Sequence, residues 1–584
     1  MHASLRSLIR QLQQEKEIIE IRTEVDPCLE MAEIHRRIID EGGPALLFTK
    51  VKGSRFPVVT NLFGTTRRVE LALGTRPEEL VQKAVKALPG LLPPRLGGLW
   101  RERDWLFGFA KAGLKRVPSG PVLDVRRSDF NLQELPALTG WQEDGGPFIT
   151  LPLVYTEHPE SKEHNLGMYR MQIFGPNETG MHWQIHKGGG FHYHVAEQQG
   201  KELPVTVFLG GPPAMILAAI APLPEMLPEL LFASFLMGDK LERVEVEAQA
   251  HALIAQAEFA ICGRVLPGVR RPEGPFGDHY GYYSWVHDFP VFDVSQVYHR
   301  KDAIYPATVV GKPRQEDYFI GEYLQKVLAP LFPLVMPGVQ DLWTYAETGF
   351  HALAGAIVRE SYHREALAHA FRILGEGQLT LTKFLLLCDV PADLQEFNTF
   401  FENILARFDP ARDLLIINDT SMDTLDYTGR SFNRGSKAVI TGLGRPMREL
   451  PREYAGGPIA GLEKIKPYCG GCLILSGPSF AQEPELAPRL LQQAARQLGE
   501  WPLVILVDDA GQIIDRTSFL WTVFTRFDPA NDIYAAAETV RNKIRYRGPV
   551  LIDARMKPWY PAELTPRQDI VEQVDRRWNE LFKV

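Results

Sequence analysis

The 584-residue chain predicts a mixed α/β and β protein. An N-terminal α/β domain precedes a central, mainly β module; a C-terminal α/β domain and a second copy of that unit follow. Three observations predict this. Apolar strand-like runs bounded by Gly and Pro crowd residues 121–310, whereas helix-like and strand-like periods alternate on either side. Ala406-Arg407-Phe408-Asp409-Pro410-Ala411-Arg412-Asp413 is echoed by Thr525-Arg526-Phe527-Asp528-Pro529-Ala530-Asn531-Asp532, the mark of an internal repeat. The length itself calls for three or four domains with separate cores.

In order, the first domain covers 1–120. Leu5, Leu8, Ile9 and Leu12 among Arg and Gln form an amphipathic helix, not the apolar core of a secretion signal. Residues 45–50 and 57–61 read as strands and 79–88 as helix, and 88–103 form an excursion rich in Pro, Gly and Leu. The second domain, 121–310, carries strand-like runs at 148–155, 169–174 and 204–209. The uncharged span 203–224 is broken by Gly210-Gly211-Pro212-Pro213. A strand, a turn and a short helix explain it better than a membrane helix. The third domain, 311–455, has helix running into strand at 379–387 and a buried strand at 413–417. In the fourth, 456–584, residues 503–508 echo 384–389 and 546–552 echo 434–440, so Pro549 stands where the first copy has Lys437. The extra copy covers the first or builds an oligomer interface. Cys469 and Cys472, a lone CxxC, fall in the connection between the copies and are weak evidence for zinc.

Apolar content of 45% and charged content of 23% are those of a globular chain. A net charge of −8 and the lack of a basic, aromatic-laced tract argue against nucleic acid as a partner. Five cysteines suit a reducing compartment, and a cytoplasmic protein without stable membrane insertion is expected.

The stretch Pro272-Glu273-Gly274-Pro275-Phe276-Gly277-Asp278-His279-Tyr280-Gly281-Tyr282-Tyr283 places two carboxylates on a sharp turn beside aromatic walls. Such acids are either ordinary loop residues or a pair whose pKa values are driven apart for proton transfer. Upstream, Asn165-Leu166-Gly167-Met168-Tyr169-Arg170 offers an amide and a guanidinium fork suited to a carboxylate or phosphate. Taken singly, Asn165 also reads as a turn cap and Arg170 as a surface ion-pair partner. Asn165, a histidine (His182 or His186) and Glu229 form an oxygen-rich set that suits Mn²⁺ or Mg²⁺ better than structural zinc. His182 and His186 have the spacing of a zinc helix, but no Glu follows His182 and a glycine run comes next. Glu229 stands in an apolar stretch, where an unpaired carboxylate is costly.

These segments, with Glu24-Val25-Asp26-Pro27, residues 43–48, Leu209-Gly210-Gly211-Pro212-Pro213 and Gly435-Ser436-Lys437, resemble in order the UbiD family of prenylated-FMN-dependent decarboxylases. The resemblance covers about the first three quarters of the chain. It implies that the central module is a split β-barrel like that of flavin reductases, holding the cofactor. It implies Asn165, His182 and Glu229 as ligands of a divalent metal, Mn²⁺ or Mg²⁺, accompanied by K⁺. Met168, Tyr169, Arg170, His182, Trp183, Gln184, Lys187, Gly188 and Lys437 are implied to line the flavin. Arg170, Glu273 and Asp278 match the catalytic Glu-Arg-Glu network, with Asp in the third place. Asp278 is then expected to be the acid, protonated at working pH, that replaces the departing CO₂. The resemblance further implies an aromatic or α,β-unsaturated acid as substrate, a flavin prenyltransferase as cofactor supplier, and a homodimer or higher homo-oligomer. The architecture looks similar to enzymes of the futalosine route to menaquinone, whose substrate is a hydroxynaphthoate-type acid. A 4-hydroxy-3-polyprenylbenzoate decarboxylase and a catabolic aromatic acid decarboxylase are the alternatives. From other classes stand a metal-dependent hydrolase using His182 and His186, and a non-catalytic flavin-binding protein.

Overall fold

The computed structural model describes residues 1–91, 112–184, 188–221, 228–312 and 314–582. Sequence chemistry is visible from the first element. The Ser4 hydroxyl accepts from Ser7 N and so starts helix Leu5–Gln14, whose Leu5, Leu8, Ile9 and Leu12 are buried. The chain divides into two compact units, Met1–Val327 with Ala562–Val584, and Leu328–Pro561.

In the first unit a small sheet orders Ile18–Ile21, Ala45–Phe48, Val58–Thr60 and Tyr305–Pro306 side by side. Helix Glu30–Asp40 lends Met31, Ile34 and Ile38 to its core. The last helix, Gln568–Leu581, joins that core through Ile570, Val574 and Leu581. Sequence order had grouped it with the second α/β copy. Its own apolar stripe finds a partner in the N-terminal unit instead.

The central sheet has seven strands. Its path runs Glu178–Gly180, His287–His299, Phe259–Glu273, Leu203–Leu209, Leu153–Glu157 and His164–Met168, and Val125–Arg127 adds to His287–His299. All its pairings are antiparallel. No closed barrel forms among the described residues; the strands make an open antiparallel sheet. Two expected strands are interrupted. Phe148–Ile149 and Leu153–Glu157 are separate, with Pro152, which has no N–H to give a ladder, between them. Likewise His164–Met168 and Met171–Gln172 flank Tyr169 and Arg170, and Arg170 leaves the ladder to meet Glu273. The uncharged span resolves into strand Leu203–Leu209 and helix Ala214–Ile220, and among the described residues no helix is long and apolar enough to cross a membrane.

The second unit holds two five-stranded sheets with the same order. One runs Val339–Thr344, Leu353–Val358, Phe384–Cys388, Arg434–Gly442, Leu414–Ser421; the other runs Lys464–Cys469, Cys472–Ser476, Leu503–Val507, Lys543–Asp553, Ile533–Val540. Registers correspond as well. Phe384 faces Ala438 as Leu503 faces Val550, and Leu414 faces Ile440 as Ile533 faces Ile552. Lys437 and Pro549 therefore occupy equivalent places. The sheets interlock at a shared aromatic core containing Phe397, Phe401, Phe519, Phe524 and Phe527. The Asp528 carboxylate accepts from Ser436 N at 2.9 Å and Ser436 Oγ at 2.6 Å. Two sequence expectations are corrected here. Asp413 ends the short helix Pro410–Asp413, and Leu414–Ser421 is a half-buried edge strand, because it pairs on one side only. Cys469 and Cys472 sit inside the second sheet, facing each other across its first hairpin, and all five cysteines are free.

Candidate active site

The turn between the two longest strands of the central sheet builds the site. Glu273 is the final residue of Phe259–Glu273 and pairs with His287. Gly274 follows at φ +103°, a backbone region that side-chain-bearing residues rarely adopt, and swings the chain away from the ladder. The Asp144 carboxylate fixes the turn from outside. It accepts from Gly277 N at 2.8 Å, Gly140 N at 2.8 Å and Trp141 N at 2.9 Å. Burial pushes this carboxyl up to about 6, against the pull of those three N–H groups.

Arg170, Glu273 and Asp278 are brought together. Arg170 Nε donates to Glu273 Oε1 at 3.0 Å, Nη1 contacts Asp278 Oδ2, and Nη2 donates to Ser284 Oγ at 3.0 Å. The guanidinium lies 4.6 Å above the Phe276 ring, a cation–π contact that holds its plane. Ser284 Oγ also accepts from Phe276 N at 3.1 Å. Sequence reasoning missed Ser284 and Asp144, since neither lies in a carboxylate-arginine motif. Asp144-Gly145-Gly146-Pro147 is a turn signature that would have pointed to the latter.

Glu273 is fully buried. Burial alone would raise its carboxyl, yet Arg170 and His182 outweigh that and hold it below the usual carboxylate range. Asp278 behaves likewise: burial pushes up, but Arg170 and the ring and backbone N–H of His279 together hold it well below that range. The expectation of a resident proton on Asp278 therefore fails in this arrangement, because both its oxygens face donors.

His182 sits on Glu273, with Nδ1 3.0 Å from Oε2 and its ring 4.2 Å from that of Phe289. An ionised carboxylate only accepts, so Nδ1 carries the hydrogen. In the neutral form of the ring the lone pair is then on Nε2, which is buried and without a hydrogen-bond partner. This is the tautomer a metal-binding histidine needs. Asn165 and Glu229 are neighbours, since Leu166 N donates to Glu229 Oε2 at 3.2 Å. Glu229 opens helix Glu229–Met237, and burial pushes its carboxyl up to about 7. Among the described residues no three or more His, Cys, Asp or Glu gather in a metal-sized cluster.

The remaining expected cofactor residues are placed as follows. Met168 ends its strand, and Tyr169 OH accepts from Asn165 Nδ2 and Gly189 N, each at 3.4 Å. A Cβ at Gly188 would lie 2.3 Å from Asn165 Oδ1, and one at Gly189 2.8 Å from Trp183 Nε1. Only bare backbone fits there. Trp183 Nε1 is a buried donor without a partner, close to the first turn of helix Gly188–Gln198. A helix N-terminus with an orphaned donor beside it is a fitting cradle for a phosphate. Gln184 precedes this cradle in non-helical backbone, whereas His186 and Lys187 lie outside the described residues. Lys437, in the second unit, donates to Thr380 O at 2.7 Å and Thr382 O at 2.8 Å, and burial brings its ammonium down to about 8.

Three sequence profiles match the chain. They are the 3-octaprenyl-4-hydroxybenzoate carboxy-lyase N-terminal domain over residues 9–88, its Rift-related domain over 115–313 and its C-terminal domain over 318–442. A protein of Chlamydia trachomatis serovar D is 51% identical over 584 residues, covering 99% of this chain and 100% of its own length. A Chlamydia pneumoniae protein, named as one subunit of a 4-hydroxybenzoate decarboxylase, is 49% identical, with 99% and 98% covered. An Archaeoglobus fulgidus protein is 37% identical over 444 residues, 75% of this chain and 91% of its own. Among solved structures, the vanillic acid decarboxylase of Sedimentibacter hydroxybenzoicus in closed form has a TM-score of 0.68 at 22% identity, covering 84% of this chain and 99% of that one. The UbiD-class enzyme HmfF of Pelotomaculum thermopropionicum, in complex with FMN, has a TM-score of 0.62 at 24% identity, with 78% and 98% covered.

Proposed function

Because the chain belongs to the UbiD family of carboxy-lyases, we propose that it decarboxylates an aromatic acid, reversibly and without net oxidation, using prenylated FMN. The observation that carries this reading is the buried Glu273–Arg170–Asp278 network on one turn, with Ser284 and Phe276 fixing the guanidinium. A UbiD-class neighbour that is bound to prenylated FMN supports the choice of cofactor. The orphaned Trp183 donor and the Gly188–Gly189 cradle fit its phosphate. Asn165, Glu229 and His182 are assigned to a divalent cation, Mn²⁺ or Mg²⁺, with K⁺ expected beside it; the Leu166–Glu229 hydrogen bond ties the first two together, and His182 keeps a buried Nε2 for the third place.

When bound, the prenylated flavin supplies the electron sink for the pair released as CO₂ leaves. The protein's own part is positional and protonic. Arg170 pairs with the substrate carboxylate and aligns the scissile bond. Glu273 keeps the guanidinium charged and oriented, and holds His182 in its Nδ1–H form. As Arg170 turns to the substrate its grip on Asp278 weakens, and Asp278 becomes the group that hands a proton to the vacated carbon. Phe276, packed on Phe148 at 4.5 Å, gives the Arg170 guanidinium an apolar floor.

The substrate is a hydroxynaphthoate-type acid of menaquinone biosynthesis in this reading, supported by the Pro-, Gly- and Leu-rich sequence at 88–103, most of which lies outside the described residues, and by the paired C-terminal sheets. The matched strand order and registers support reading the second sheet as a duplicate that covers the first. The name of the Chlamydia pneumoniae relative favours a 4-hydroxybenzoate-type acid as the second reading. The deciding experiment uses protein produced with a flavin prenyltransferase. Its cofactor is identified by mass spectrometry, its metal by elemental analysis, and CO₂ release is followed on hydroxynaphthoates and hydroxybenzoates. Prenylated FMN with turnover of a naphthoate supports the first reading, and turnover of 4-hydroxybenzoate alone the second. Stoichiometric zinc without flavin would overturn both.

A further inference from the structure

The Asp278 carboxylate meets donors on both its oxygens. Oδ2 faces Arg170 Nη1; Oδ1 accepts from His279 N at 2.8 Å and lies 2.8 Å from His279 Nδ1. An arginine does not release its proton in a protein, and a backbone amide does not either. Of these three contacts, the imidazole is the one able to pass a proton to the carboxylate. It is also placed to collect one. The His279 side chain is 25% exposed, whereas that of Asp278 is 11% exposed. Tyr280 packs edge-on against the ring at 5.2 Å. The carboxylate of Asp317, in the first turn of helix Glu316–Leu328, is close enough to act electrostatically on both His279 and Asp278. Charged groups near His279 include Asp278 and Asp317, with Arg170 beyond Asp278.

We propose that His279 recharges Asp278 with a proton in each turnover, acting as a positioning and proton-supplying residue through the Nδ1–H···Oδ1 contact. The inference rests on the decarboxylase reading above. The imidazolium gives its Nδ1 proton to Oδ1, breaking N–H and forming O–H, and is left neutral with a hydrogen on Nε2. Asp278 then passes that proton to the carbon that lost CO₂, where the electron pair of the broken C–C bond becomes the new C–H bond. Asp278 returns to the carboxylate, and the ring regains a proton from water at its exposed flank. Nothing is oxidised or reduced at either side chain.

The test compares wild type, His279→Asn and His279→Ala as holoenzymes on an acid that the wild type turns over. His279→Asn keeps a side-chain amide donor for Asp278 but cannot relay a proton. Loss of general acid–base supply predicts a fall in kcat of about 10²-fold or more, with KM and flavin content unchanged. The wild-type rate falls as pH rises through the His279 titration, and this limb disappears in His279→Asn. Added imidazole restores His279→Ala in proportion to its protonated fraction. A His279→Asn enzyme within threefold of wild type, or a slow His279→Ala enzyme that imidazole does not restore, overturns the proposal. A second measurement needs no turnover: histidine-selective NMR of the unloaded protein. The His279 titration is expected to move to lower pH in Asp278→Asn, and an unmoved titration overturns the proposal. A wild type that decarboxylates no aromatic acid refutes the decarboxylase reading instead, and the NMR result tells the two failures apart.

Discussion

Ser284→Ala removes one oxygen that accepts from two donors. Arg170 Nη2 loses the Ser284 oxygen at 3.0 Å while keeping Glu273 Oε1 at 3.0 Å, and Phe276 N loses its 3.1 Å acceptor, at a position only 4% exposed. A hydrogen bond to a charged group is worth roughly 1.5–3 kcal/mol, and a buried N–H left unpaired costs about 1–3 kcal/mol. The Phe276 contribution falls on the stability of the turn. The Arg170 contribution falls on catalysis, because the guanidinium must keep its plane over Phe276 while the substrate carboxylate arrives. At about 1.36 kcal/mol per tenfold change in rate, it predicts a loss in kcat/KM of about 10- to 150-fold. Ser284→Thr keeps the hydroxyl and is expected to recover most of the loss. The assay is steady-state CO₂ release on holoenzyme with matched flavin content, alongside hydrogen exchange at Phe276 N. A Ser284→Ala enzyme within threefold of wild type in kcat/KM, with Phe276 N still protected, would refute the reasoning. The hydroxyl would then be a passive neighbour of Arg170.

Further outcomes follow from the same geometry. Asp144 has a folded pKa of about 6, above its ordinary 3.8. Its contribution is most favourable below about pH 4 and is lost as pH rises through 6, by roughly 3 kcal/mol over about two pKa units. The stability gap between wild type and Asp144→Asn in denaturant unfolding should therefore change with pH by that order, and parallel curves would contradict it. Gly188→Ala puts a methyl 2.3 Å from Asn165 Oδ1, and flavin content by absorbance should fall to a minor fraction of wild type. Glu229→Gln, or prolonged chelation of the wild type, should release both divalent metal and flavin; full flavin retention without metal would separate the two. Asp528→Ala leaves Ser436 N and Oγ without their acceptor in the core of the second unit. Its thermal unfolding should move down by an amount matching about 2–5 kcal/mol, and an unchanged transition would show the contact to be dispensable.

Local sequence was enough for the amphipathic first helix, the paired motifs at Asp409 and Asp528, and the turn that carries Glu273 and Asp278. Turn chemistry and apolar period are written in adjacent residues, and a repeat is written twice. The alignment of Lys437 with Pro549 was legible for the same reason, and strand register matches it. Folding in three dimensions settled the rest. Asp144 reaches Gly277 across more than a hundred residues of chain, so no window of sequence holds both. Ser284 and His279 stood in plain view beside the motif. What they do depends on where Arg170 points, and that is set by a break between two short strands. The helix Gln568–Leu581 has an apolar stripe that any core will accept, so its burial was predictable and its address was not. The charge state of Asp278 was the least legible of all. Sequence supplied the acid, but its proton is governed by the guanidinium and imidazole that folding places on its two oxygens.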